Sequence, residues 1–215
     1  MAGVVIVKLT VRGQGGHGSL PHKIKDAITT AAYMLTQFHS IQARSVDAFE
    51  DFIFTICQFK SGSTHNVFPD TAFMQGTIRY FNQEVCELVI QRITKIAQST
   101  ADAHGCTVDV DFNRLYPALI NHEKEAGHVE RLAKTNLGEE WFVQEGVPML
   151  ASEDFSYFIQ ETPGAFFFLG TGKPEGRKMV LHDSKMDFND DCLATGAHFW
   201  VKLVEDRLGV KLLNE

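Results

Sequence analysis

Several signals that would narrow the chemistry at once are missing from this chain. Its four cysteines, Cys57, Cys86, Cys106 and Cys192, show no Cys-x-x-Cys spacing, which argues against a zinc-ribbon or thioredoxin-type motif. Buried free thiols and a reducing compartment are expected instead. No apolar run reaches membrane-spanning length, since Val4 to Val11 is short and Lys8 interrupts it, and no signal-peptide pattern appears. The expected location is the cytoplasm. Basic residues form no cluster and the net charge is −7, which argues against nucleic acid or an acidic membrane as a partner. There is no internal repeat, low-complexity tract or linker. With 215 residues and 44% hydrophobic content, the chain can bury one good core or two modest ones.

What is present centres on Gly13-Gln14-Gly15-Gly16-His17-Gly18-Ser19-Leu20-Pro21-His22, where a strand pattern gives way to a helical one. Four glycines let the backbone turn tightly around one exposed imidazole, and Pro21 suits the first turn of a following helix. Gly13, Gly15 and Gly18 also spell Gly-x-Gly-x-x-Gly, the dinucleotide-binding fingerprint. The context rejects it. A dinucleotide-binding first strand is apolar on both faces, but Val5, Val7, Leu9 and Val11 alternate with Ile6, Lys8, Thr10 and Arg12. The acidic residue expected about 20 positions on is absent as well.

Residues 4 to 12 read as a one-sided antiparallel strand, and Ile24, Ala27, Ile28, Ala31, Ala32, Leu35 and Phe38 give a helical stripe. Phe52 to Phe59 and Ala72 to Tyr80 read as strands on either side of turn-forming residues. Val85, Leu88, Val89, Ile93, Ile96, Ala97 and Thr100 give a second helix ended by Gly105, and Val108, Val110 and Phe112 a further strand. The order β-α-β-β-α-β predicts a ferredoxin-like unit, complete by Tyr116, with both helices on one face of the sheet. From residue 117 to 215 the pattern is helical, near 122–136, 152–160 and 190–207, with an apolar strand at Ala165–Leu169. Such a strand requires cover on both faces, so this part, a portion of an α/β domain, is expected to be poorly stable alone. Met1 stands two residues before a strand, a start expected of a cut rather than a natural terminus. The fold class is therefore α/β in the α+β sense, with domains at 1–116 and 117–215.

Nine histidines are present. His39, His104, His128 and His198 fall in or beside predicted helices, where structural or surface roles suffice. His182 follows Met179-Val180-Leu181, as a side chain at a strand-to-loop mouth would, although a loop histidine bonded to a neighbour is the plainer reading. No His-x-x-x-His or His-x-Asp motif accompanies it, so spacing gives at most one metal ligand. Asn66 lies in a turn, and Arg79 lies on the following strand with Gln75 and Thr77 on the same face. That face suits a carboxylate, or is a solvated surface with one arginine. Ser152-Glu153-Asp154 reads as a helix cap with an acidic first turn.

Four of these stretches together resemble a known family. Gly15-Gly16-His17-Gly18-Ser19-Leu20-Pro21-His22, Asn66-Val67-Phe68-Pro69-Asp70 with Gly76-Thr77-Ile78-Arg79, Ser152-Glu153-Asp154-Phe155, and Leu181-His182-Asp183 followed by Asp187-Phe188 look like its successive motifs. The family is the aminoacylase and carboxypeptidase group of two-metal metallopeptidases. The chain is most similar to the amidohydrolase branch, which includes hippurate hydrolases, N-acyl-L-amino-acid amidohydrolases and hydrolases of indole-acetic-acid–amino-acid conjugates. The resemblance implies that His17 reaches into the partner subunit's active site to polarise the scissile carbonyl, assisted by Asn66. It implies that Arg79, thirteen positions after Asn66, grips the substrate carboxylate. Glu153 and Gly170 would lie near the substrate, and His182 would be a metal ligand.

The same resemblance implies a homodimer formed through the lid and two divalent metal ions, zinc or manganese, in the complete enzyme, none necessarily bound by this chain. The family carries its other ligands and its general-base glutamate before the lid, whereas this chain begins inside it. The expectation is thus the lid plus the C-terminal catalytic portion of an enzyme cleaving N-acyl amino acids or related small conjugates, inactive in isolation. The alternative is a non-catalytic dimerisation or small-molecule-binding module of the same shape.

Overall fold

The structure, a computed structural model, describes residues 1–172 and 181–212. It divides into two compact units, residues 1–120 with 146–158, and residues 121–145 with 159–215. In the first unit, β1 (Gly3–Arg12), a short β2 (Gly16–His17), α1 (Ala27–Ser45), β3 (Phe52–Ser61), a short β4 (Val67–Phe68), β5 (Thr71–Tyr80), α2 (Gln83–Ala103) and β6 (Thr107–Tyr116) follow in order. The long strands form one antiparallel sheet in the order β3-β5-β1-β6, which is the expected split β-α-β-β-α-β arrangement.

The period-2 pattern of β1 decides which face is covered. Val5, Val7, Leu9 and Val11 are fully buried, whereas Lys8 and Arg12 on the opposite face are exposed. Against the buried face pack Ala27, Ala31, Met34, Phe38 and Ile41 of α1, with Val85, Val89, Ile93 and Ala97 of α2. The α1 stripe differs from the sequence expectation: Ile28 and Ala32 face solvent, Ile24 precedes the helix, and Thr30, Met34 and Ile41 are buried instead. The helix starts at Ala27 because Asp26 caps it, its carboxylate accepting the N–H groups of Ile28 (2.9 Å) and Thr29 (3.1 Å). Pro21 opens a separate 3-10 turn, Pro21–Lys23. The end of α2 is as expected: Gly105 takes φ +65°, with Cys106 N–H bonded to Ala101 O (2.9 Å) and Gly105 N–H to Asp102 O (3.0 Å), a Schellman arrangement.

Two of the cysteines are buried as expected, but Cys57 is exposed. It sits at a bulge in β3, between Ile56, which faces Gly76, and Gln58, which faces Gln75. A Cβ at Gly76 would come within 1.9 Å of Thr55 O, so glycine is required opposite the bulge. Cys86 lies in the core beside Tyr80, where burial pushes the thiol up to about 11 and the phenol up to about 12. Such a thiol stays protonated and unreactive at neutral pH.

The second unit contains α3 (Glu123–Leu137) and a long helix at Cys192–Leu208, and the short helix α4 (Phe155–Glu161) lies between them in sequence, the long one being α5. Ion pairs join α3 to α5: Arg131 to Asp206 at 2.6 Å and Arg207 to Glu125 at 3.1 Å. The expected strand at Ala165–Leu169 is not formed among the described residues. Instead the side-chain amide of Asn121 pairs with the Phe166 backbone, accepting its N–H at 2.8 Å and donating to its carbonyl at 2.9 Å. One amide side chain thus stands where a neighbouring strand would run. Phe167 turns onto Phe199 and Trp200 of α5, with ring centroids 5.4 and 5.3 Å away. Among the described residues no helix is long and apolar enough to cross a membrane.

Candidate functional site

The glycine stretch is wedged between two backbones. Gln14 exchanges both backbone hydrogen bonds with Lys25, and on the other side β2 pairs with β4, Gly16 opposite Phe68 and His17 opposite Val67. Side chains have no room there. A Cβ at Gly13 would lie 2.1 Å from Lys25 O, and one at Gly15 would lie 2.3 Å from Phe68 O. Asp70 ties the wedge together, its carbonyl accepting the N–H of Gly13 and its carboxylate that of Gly15, both at 2.8 Å. The glycines therefore serve a tight backbone crossing, with His17 projecting from its exposed end.

Asn66 is brought to the same place, because Gly18 N–H donates to Asn66 O at 2.8 Å. Both side chains are exposed. His17 Nδ1 accepts the backbone N–H of Ser19 at 3.2 Å and lies 2.8 Å from Ser19 Oγ. Asn66 Oδ1 accepts from Thr64 Oγ at 3.3 Å. The sequence reading assigned roles to His17 and Asn66 and missed Ser19, Thr64 and Asp70. Only the turn-forming Pro69-Asp70 pair carried a readable signal.

Arg79 lies elsewhere. Eight residue steps along β5 separate it from Thr71, roughly 26 Å at about 3.3 Å per residue. It sits on the open face of the sheet, opposite Ile53 and Val4. Its Nη1 donates to Ser152 Oγ at 2.7 Å and to Leu150 O at 3.5 Å. Ala2 N–H anchors the same segment, donating to Met149 O and Ala151 O, both at 3.0 Å. The expected cap with an acidic first turn is not what forms: α4 begins at Phe155 with no acidic residue in its first turn, Ser152 Oγ accepts from Arg79, and the Glu153 carbonyl accepts from Ser156 Oγ at 2.7 Å. Glu153 thus follows directly on the residue that holds Arg79.

Gly170 and His182 belong to the second unit. Gly170 is exposed, and a Cβ there would meet no atom within 4 Å among the described residues. His182 is exposed and adopts φ 71°, a left-handed conformation that few residues other than glycine take. Most of the strand-to-loop junction expected before it lies in residues 173–180, outside the described residues. Among the described residues no group of three His, Cys, Asp or Glu side chains could hold a metal ion. The described residues do not fit a resident metal by themselves, and what they offer is binding and polarisation.

Residues 2–105, which hold His17, Asn66 and Arg79, match the signature of the M20 peptidase dimerisation domain. The chain belongs to the M20 family. It is 35% identical to thermostable carboxypeptidase 1 of Saccharolobus solfataricus over 97% of its own length and 51% of that protein. It is 34% identical to an N-acetyldiaminopimelate deacetylase of Streptococcus sanguinis over 86% of its length and 48% of that enzyme. This M20 chain thus spans about half the length of the curated relatives it matches. Its fold is that of a dinuclear metal-binding M20 peptidase from Bacillus subtilis, with a TM-score of 0.75 at 21% identity over 98% of this chain and 51% of that one. Its relatives are hydrolases.

Proposed function

We propose that the chain is the lid and C-terminal catalytic portion of a metal-dependent amidohydrolase that cleaves N-acyl amino acids or related small conjugates. It acts in the cytoplasm as a homodimer joined through the domain at 1–116, with the catalytic portion at 117–215. The observation that carries this reading is the separation within the first unit: His17 and Asn66 share one ribbon, and Arg79 lies at the far end of β5. A small N-acyl amino acid is much shorter than the roughly 26 Å that β5 runs from Thr71, three residues after the β2–β4 ribbon ends at Phe68, to Arg79. One copy cannot engage its substrate with all three side chains. A second copy can bring its own His17 and Asn66 to a substrate held by Arg79, which is a use for a dimerisation domain.

In that arrangement Arg79 receives the substrate carboxylate on the edge of its guanidinium fork not taken by Ser152, and Glu153 and Gly170 are assigned substrate-binding roles. His17 and Asn66 donate hydrogen bonds to the scissile carbonyl oxygen as negative charge develops on it. His182 supplies one metal ligand, and its left-handed backbone is the kind of local cost that functional sites retain. The two divalent ions, zinc or manganese, need ligands beyond those of this chain.

Hippurate hydrolysis tests the reading. The 215-residue chain supplied with manganese or zinc is expected to be silent, and the full-length enzyme active. There, His17→Ala should lower kcat by about 10²- to 10³-fold with dimer and metals intact. Arg79→Ala should raise KM for hippurate and leave hippuramide unaffected. Unchanged turnover in His17→Ala removes the carbonyl-polarising role from His17.

A further inference from the structure

We propose that Ser19 is a positioning residue for His17. Its backbone N–H and its hydroxyl both occupy Nδ1, so that the neutral ring carries its proton on Nε2 and presents it outward as a hydrogen-bond donor. The use of that donor on a substrate carbonyl rests on the function proposed above; the assignment of the proton does not.

One group in the turn has its role fixed by chemistry. A backbone N–H can only donate, so the 3.2 Å contact from Ser19 N–H requires a lone pair on His17 Nδ1. The Ser19 hydroxyl, 2.8 Å from the same nitrogen, then adds a second donor. A proton on Nδ1 would face the Ser19 amide hydrogen and remove the first contact. Leu20 N–H donates to His17 O at 2.9 Å, so His17 opens a β-turn whose third residue is Ser19. An Asp or Asn in that place would bond the N–H two residues on with its side-chain oxygen. Here the imidazole takes that place, and its plane is fixed to the turn. Gly18 N–H bonds Asn66 O and fixes the turn to β4.

Asn66 also has a hydroxyl neighbour: Thr64 Oγ donates to Asn66 Oδ1 at 3.3 Å, with the amide nitrogen as the outward group. Neither Nε2 of His17 nor Nδ2 of Asn66 has a partner among the described residues. Each acceptor atom of the pair thus meets a hydroxyl two residues away in sequence, and the outward Nε2 and Nδ2 are donors. Two outward donors suit an oxygen that gains negative charge. They do not suit a base, because the basic nitrogen of the ring is the one turned into the turn.

The test uses the 215-residue chain with ¹⁵N-labelled histidine. Long-range ¹H–¹⁵N spectra of the neutral ring should show His17 with a protonated Nε2 and a hydrogen-bonded, unprotonated Nδ1. Ser19→Ala should move the Nδ1 resonance toward that of a solvent-exposed imidazole, and Ser19→Thr, which keeps the hydroxyl, should hold it in place. A neutral ring protonated at Nδ1, or an Nδ1 resonance unmoved in Ser19→Ala, overturns the proposal. In the full-length enzyme Ser19→Ala should lower kcat about tenfold at unchanged KM, with recovery in Ser19→Thr. If His17→Ala leaves turnover intact, the carbonyl-polarising role falls, and the spectra still decide where the proton sits.

Discussion

In the first unit Val5, Val7, Leu9 and Val11 of β1 are each fully enclosed under α1 and α2, whereas the buried apolar residues described in the second unit are Leu132, Ile159 and Phe199. The second unit is not short of apolar side chains. Trp141, Leu193 and Trp200 are 72%, 66% and 60% exposed, and Phe168, Leu181 and Phe188 are exposed as well. The difference is one of cover. A four-stranded sheet with two helices on one face closes a core from within its own sequence, while two helices and an apolar segment outside any described strand bury fewer apolar side chains among the described residues. Beyond Leu132, Ile159, Phe199 and the Phe167 ring contacts, the second unit has the Asn121 amide and surface ion pairs, and exposed ion pairs contribute little individually.

The largest expected effect tests that contrast directly. Leu9→Ala removes a fully buried side chain from the centre of the closed core and should cost about 2–5 kcal/mol. Phe199→Ala should cost less than Leu9→Ala, and less than the about 3–5 kcal/mol usual for a buried aromatic, because its neighbours Phe167 and Trp200 already reach solvent and can move into the space. Both tryptophans, Trp141 and Trp200, lie in the second unit, so fluorescence in a urea titration follows that unit while far-ultraviolet circular dichroism follows the whole chain. A larger loss from Phe199→Ala than from Leu9→Ala breaks the comparison.

A smaller effect concerns how α1 begins. Asp26 accepts two backbone N–H groups and the Thr29 hydroxyl (2.6 Å), so Asp26→Ala should cost about 1 kcal/mol, read as a lower urea midpoint with an unchanged slope. Asp26→Asn should recover most of it.

Asp26 also marks where the sequence was legible and where it was not. The element order and the one-sided β1 were readable because alternation and helical spacing report burial directly. The start of α1 was misplaced because Ile24 and Ile28 are apolar at helical spacing, while the cap that sets the boundary is a single polar side chain. Ala165–Leu169 misled for the opposite reason: continuous apolarity signals two-sided cover, and pairing is a property of a neighbouring strand that a local pattern cannot reveal. At the candidate site, the glycine stretch points to His17 and the turn and strand pattern to Asn66 and Arg79, while their roles come from the resemblance. The supporting contacts of Ser19, Thr64 and Ser152 were not readable, because a lone hydroxyl in a turn has no periodicity.

The smallest effect lies on the solvent side of the closed unit. Arg114 on β6 donates from both terminal nitrogens to Glu87 on α2, at 2.6 and 2.8 Å. The fork holds the Glu87 carboxyl below its ordinary range, Arg114 being the largest cause. A carboxyl depressed in the folded state contributes stability that is present above its unfolded value and is lost as pH falls through the folded one. The loss therefore begins below about pH 4.3 and continues as the pH falls further. Both side chains are more than 40% exposed, so solvent screening limits the pair to less than about 1 kcal/mol even with bidentate geometry. Arg114→Ala should lower the urea midpoint slightly at pH 7 and by less at pH 3, and added salt should shrink the difference. An equal loss at both pH values would assign the contribution of Arg114 to packing along α2 instead of to charge, and the exposed rim of the first unit would then stabilise it by the same means as its core.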